Sequence, residues 1–243
     1  MTTSADPLPP IDRWQVARRL GGGAAILILT LWAIGWPLVN TDLFSPVRFE
    51  DAKASLGVLT IRTADRDPLS QIGSSLADTL TCIAVMSVAV VVFRLWFGRW
   101  RESLVVFAAI GGELLFFLAV TGVVARDRPT IEHLDPAPPT SSFPSGHTAA
   151  AVALYGSIAV ILLYRLRPPW LALIIAALLW CIPAVVGIAR MYRGMHHMSD
   201  VVVGTMAGGA WLMIVLATLY SLPDRRGVPP ADRADPSMAA SSR

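Results

Sequence analysis

The sequence predicts an all-α integral membrane protein with six transmembrane helices. Two observations carry this reading. Apolar residues make up 54% of the chain and charged ones only 15%, against roughly a quarter charged in an ordinary soluble domain. The charges are also unevenly spread: six runs, 21–39, 79–93, 103–125, 148–164, 168–189 and 201–223, are nearly free of them. A helix crosses the hydrocarbon core with about 20 predominantly apolar residues. Five runs reach that length alone. The second reaches it with its Ser/Thr-rich flank and Leu95–Phe97. The predicted spans are 21–39, 75–97, 103–125, 148–164, 169–189 and 201–222, within one membrane domain of residues 21–223.

The first run follows a polar stretch, residues 1–20, that ends in Arg13, Arg18 and Arg19. A charged segment before an apolar one resembles a signal peptide, but the run is of full spanning length and lacks a small-x-small cleavage site. It reads as an uncleaved first helix. Residues 41–74 carry mixed charge, with Leu56, Leu59 and Ile61 spaced loosely like one helix face. An interfacial amphipathic segment and a solvated loop both fit that spacing. The connection 94–102 carries Arg94, Arg99 and Arg101, the connection 164–169 carries Arg165 and Arg167, and the Pro/Ala/Ser-rich tail 224–243 reads as disordered.

A net charge of +3 and a pI near 9.2 would suit nucleic acid if the basic residues formed a face. They are instead dispersed among the helix connections and point to topology. Short basic segments belong on the cytoplasmic side, which puts both termini inside and the connections 126–147 and 190–200 together outside. The arginines of these two connections run against that trend and so serve another purpose. Cys82 and Cys181 lie within spans without metal-ligand spacing and read as buried, unpaired packing residues.

Chemistry concentrates in three clusters on that outer side. Arg126-Asp127-Arg128-Pro129 follows the third span. Pro144-Ser145-Gly146-His147 opens the fourth. The segment from Arg190 to Asp200, containing His196, joins the fifth and sixth. Guanidinium groups bind phosphate oxygens through planar, often bidentate hydrogen bonds, which suits Arg128 and Arg190. Gly146 permits close backbone approach, and the N–H groups opening a helix add donors. His196 and Asp200, four apart, share a face if the segment is helical. A carboxylate there can fix one imidazole nitrogen and leave the other as a nucleophile. His147, from another helix, is then free to protonate a leaving oxygen.

These residues resemble the type 2 phosphatidic acid phosphatase (PAP2) superfamily, whose pattern is K-x6-R-P, then P-S-G-H, then S-R-x5-H-x3-D. Arg128-Pro129 matches the end of the first motif, Pro144-Ser145-Gly146-His147 all of the second, and Arg190, His196 and Asp200 the third with its spacing intact. The similarity spans roughly residues 75–220. It implies a PAP2-type helical bundle and a metal-independent phosphatase, without cofactor, working through a phosphohistidine. By the resemblance His196 is the nucleophile, Asp200 its orienting partner and His147 the general acid. Arg128, Arg190, Ser145 and Gly146 hold the phosphoryl oxygens. Two positions depart from the pattern: Thr121 stands at the motif lysine and Ala189 at the serine before the motif arginine. Arg126 is near enough in sequence to offer a replacement contact. The implied substrate is a membrane lipid phosphate or pyrophosphate, with undecaprenyl pyrophosphate first, then phosphatidylglycerophosphate and phosphatidic acid. A phosphotransferase and a non-catalytic lipid-phosphate binder are the rival readings.

The remaining polar residues have plainer readings. Arg193 reads as an interface anchor, and Glu132 and His133 as loop residues. His197 divides evenly between substrate contact and packing. Only four histidines are present, with no closed ligand set, so no metal is expected. Glu113, mid-span, is expensive in a bilayer and therefore paired or functional.

Overall fold

A computed structural model of the protein describes residues 13–220. Their regular structure is all helical, with no strands among the described residues: α1 (Arg13–Asn40), a single 3-10 turn (Asp42–Phe44), α2 (Ser45–Leu59), α3 (Asp67–Ser75), α4 (Thr79–Phe97), α5 (Arg101–Thr121), α6 (Gly146–Arg165), α7 (Pro169–Tyr192) and α8 (Met198–Tyr220). Helices α1 and α4 to α8 are long and apolar enough to cross a membrane. Many of their large side chains face outward, as in Leu80, Leu115 and Met213, where lipid rather than water would meet them. The first helix begins earlier than the sequence suggests, taking in Arg13, Arg18 and Arg19. The expected tail 224–243 lies outside the described residues.

Helix α6 is the axis of the bundle, in contact with α4, α5, α7 and α8. Its sequence explains the position: Ala149, Ala151, Ala153, Ala159 and Gly156 allow neighbours to approach closely, and membrane helices pack through such small residues. Helix α8 meets it through Gly204 and Gly208, spaced as small-xxx-small. A Cβ on Gly204 would stand 2.5 Å from the Ser145 carbonyl oxygen, and one on Gly208 2.6 Å from that of Ala149. One turn further along the same face, Trp211 of α8 packs on Gly112 of α5 and donates its indole N–H to the carbonyls of Ala108 and Ala109 at 3.1 and 3.0 Å. The start of α8 is thereby held against the start of α6, where Ser145 N–H donates to Asp200 O at 3.0 Å.

Residues 41–74 are not a simple loop. They form α2 and α3, with Leu56, Leu59 and Ile61 exposed. Their polar residues cross-link the site end of the bundle. Arg48 caps the end of α1 through the carbonyls of Leu38 and Thr41 at 2.9 and 2.5 Å. Arg62 donates to Tyr192 O and Glu132 O, both at 2.8 Å. At the opposite end Glu102, fully buried, accepts from Arg99 at 2.5 Å and Arg165 at 3.0 Å. Arginines expected to mark topology therefore also tie α5 to α6. Cys82 is buried as expected. Cys181 is exposed on α7, contrary to expectation.

Candidate active site

The connection between α5 and α6 closes on itself. Arg126 N–H donates to Ser141 Oγ at 3.1 Å, Ser142 N–H to Arg126 O at 2.9 Å, and Ser142 Oγ to Asp127 O at 3.0 Å. The loop is pinned to the α7–α8 connection where Leu134 N–H meets Arg193 O at 3.0 Å. That connection turns at Gly194, whose φ of 73° suits glycine. A Cβ there would also stand 2.8 Å from Glu132 O.

Together these segments roof a cavity of about 330 Å³, which combines a polar end with an apolar shaft. Arg128, Arg190, His147 and His196 line the polar end, beside Gly146. Arg128 Nη1 donates to Met195 O at 2.6 Å. Arg190 Nη1 donates to Ser74 Oγ at 2.9 Å and Asp135 Oδ2 at 3.1 Å. In both residues Nε is buried without a hydrogen-bond partner. Two unsatisfied guanidinium donors in one cavity are costly unless an anion completes them. The Cβ-free face of Gly146 is covered by Phe117, whose ring lies 2.7 Å from where a Cβ would be.

His196 is 4% exposed. Its Nδ1 stands 2.8 Å from the Ser142 carbonyl oxygen. A carbonyl only accepts, so Nδ1 carries the proton and Nε2 keeps its lone pair. Burial, then the positive charges of Arg190 and Arg128, hold the imidazole well below its usual pKa, outweighing the opposing Ser142 hydrogen bond. The ring is neutral. Asp200 is not its direct orienting partner as expected: its Oδ2 is 3.9 Å from Nδ1 and instead accepts from the His197 N–H at 2.9 Å. His147 Nε2 meets Asp78 Oδ1 at 3.1 Å.

Four further expectations need correction. Arg126 offers no phosphate contact: its guanidinium is bound by Asp200 Oδ1 and by Asp51 Oδ2, the latter at 2.7 Å, outside the cavity lining. Ser145 is fully buried and its hydroxyl shares a hydrogen bond with Thr148 at 2.9 Å, so it too is turned from the cavity. Thr121 sits at the end of α5 with its hydroxyl on Leu118 O at 3.3 Å, also outside the lining. Arg193, expected at the interface, is buried and grips Asp135 through Nε at 2.8 Å and Nη2 at 2.5 Å. Burial raises the Asp135 pKa, but the Arg193 and Arg190 guanidinium groups outweigh it and hold the carboxyl below its usual value. His197 faces a neighbouring cavity and Asp127 O. His133 bonds Pro129 O within its loop.

Sequence reasoning missed Asp51, Asp78, Asp135 and Ser142. Asp51 and Asp135 lay among ordinary loop charges, and Asp78 at the start of the predicted second span. Ser142 acts through its backbone carbonyl, which side-chain chemistry cannot reveal.

Comparison with known proteins bears on the family and the fold. The PAP2 superfamily model matches residues 104–223. The chain is 28% identical over 239 residues to a lipid A 1-phosphatase of Rhizobium etli, covering 88% of each. Its fold is similar to a crystal structure of a transmembrane PAP2-type phosphatidylglycerolphosphate phosphatase from Bacillus subtilis. The TM-score there is 0.71 at 22% identity, covering 83% of this chain and 98% of the other. With Arg128, Gly146, His147, Arg190 and His196 gathered around one cavity at the end of a six-helix bundle, the chain belongs to the PAP2 superfamily and is a membrane phosphatase of that type.

Proposed function

We propose that the protein removes a phosphate group from a membrane lipid by way of a phosphohistidine on His196, on the outer face of the cytoplasmic membrane. The observation that carries this is the neutral His196 imidazole, its Nδ1 proton committed to Ser142 O, in a cavity shared with two arginines whose Nε groups lack partners. The lipid phosphate enters between Arg128 and Arg190. The Nε2 lone pair attacks phosphorus, a P–N bond forms, and the P–O bond to the lipid breaks. His147, paired with Asp78, delivers a proton to the departing oxygen. Water, giving a proton back to His147, then cleaves the P–N bond and releases phosphate.

The apolar shaft of the cavity, formed by α4, α5 and α6, suits the lipid's tail. The dispersed arginines at the opposite end support the outer placement. The relatives are named for lipid A and for phosphatidylglycerolphosphate, which supports placing an acylated lipid phosphate ahead of a polyprenyl pyrophosphate. The test is phosphate release by the purified protein in detergent from a panel of lipid phosphates, with a chelator present. Release from at least one lipid, undiminished by chelator, is expected. Silence across the panel would refute the reading, and loss in chelator would refute its metal-free form.

A further inference from the structure

The shaft contains one carboxyl that the hydrolysis does not use. Glu113 of α5 is 5% exposed and lines the cavity beside Cys82, Ile83 and Leu114. Its Oε1 is buried without a hydrogen-bond partner. A carboxyl that held the bundle together would be bonded to a neighbouring helix, as Glu102 is to Arg99 and Arg165. Glu113 Oε1 is bonded to none. Desolvating such a group unpaired is costly, and a ligand that completes it in the cavity recovers that cost. Its depth is defined by the helix. Glu113 and Phe117 are four apart on one face of α5, and Phe117 packs on Gly146 at the phosphate end. Glu113 therefore lies one turn, about 6 Å, further into the membrane.

We infer that Glu113 reads an acyl carbonyl of the substrate: the ester or amide carbonyl that stands a few bonds from the phosphate in an acylated lipid. This rests on the phosphatase reading and narrows it. A carboxyl in its neutral form donates its O–H to that carbonyl. In a polyprenyl phosphate the same depth holds only hydrocarbon, and in a dialkyl ether only an in-chain ether oxygen, so the carboxyl loses the projecting carbonyl as its acceptor. Glu113 is thus a specificity-determining residue that selects acylated lipid phosphates.

The experiment compares kcat/KM for a diacylglycerol phosphate and its dialkyl ether analogue, using the purified protein, Glu113→Gln and Glu113→Leu. The wild type should favour the diacyl lipid by about tenfold, one hydrogen bond to a buried group. Glu113→Gln, whose amide still donates, should keep the preference. Glu113→Leu should bring the two lipids to the same kcat/KM. Equal use of both lipids by the wild type would overturn the inference whatever the variants do. So would a preference that survives in Glu113→Leu. An equal fall on both lipids in Glu113→Gln would also overturn it, marking a proton-handling role instead. If the wild type hydrolyses no lipid phosphate, the phosphatase reading itself has failed.

Discussion

At the residue scale, Arg126 and Arg128 stand two apart in sequence and do different work. Arg128 keeps an unpartnered Nε in the cavity, whereas Arg126 spans Asp51 and Asp200, both almost fully buried. Asp51 also accepts from Ser199 N–H at 2.9 Å and from its hydroxyl at 2.5 Å. Arg126→Ala would strand two buried carboxylates, a loss of about 3–5 kcal/mol, visible as a large fall in thermal stability in detergent. An Arg126 that served only to bind substrate would leave stability intact. His196 sets the pH response. Its folded pKa lies below the ordinary value of 6.5, so the ring stays neutral and nucleophilic as pH falls through that value. The acid limb of kcat/KM should therefore lie below pH 6.5, and a limb centred above it would contradict the buried neutral ring. The stability sign follows the same shift. The unfolded chain binds this proton first, so stability rises with pH across the window between the two values and the neutral ring becomes a growing penalty below about 6.5. The site's motif residues were legible from spacing. Arg126's role was not, because its partner Asp51 is 75 positions away in a segment of mixed charge.

Among the elements, the contact of α8 with α6 decides whether the halves of the site meet. Gly204 brings α8 against the Ser145 carbonyl, and the adjoining Ser145 N–H to Asp200 O bond joins the helix bearing His147 to the one following His196. Gly204→Val should push these helix ends apart, costing about 1–3 kcal/mol and most of the phosphate release. Wild-type turnover in that variant would show that the approach is dispensable. Thr121→Lys, at the end of α5 and outside the cavity lining, should leave release unchanged. A rise would mean that the added ammonium reaches the phosphate. The spanning helices were legible because each needs one long apolar run. Helices α2 and α3 were not, because α2 has no apolar stripe, α3 is only nine residues long, and the polar residues around them serve distant partners, as Arg62 does for Tyr192 and Glu132.

On the scale of the whole molecule, six spanning helices place the polar residues of four chain segments at one end of the bundle. Residues 41–78 supply Asp51 and Asp78, the closed loop supplies Arg128 and the Ser142 carbonyl, α6 supplies His147, and the α7–α8 region supplies Arg190, His196 and Asp200. The apolar shaft descends from that end between α4, α5 and α6. Such a design lets a lipid keep its tail in the bilayer while its phosphate meets the polar end. The central claim is that the phosphate passes through a covalent bond to His196, and trapping that bond tests it most directly. Purified protein would be mixed with a lipid carrying a labelled terminal phosphate, quenched in alkali, which preserves a P–N bond, and digested for peptide mapping. The expected result is label on the peptide containing His196 in the wild type, with neither label nor phosphate release in His196→Ala. Release that persists in His196→Ala, or label on any other residue, would contradict it.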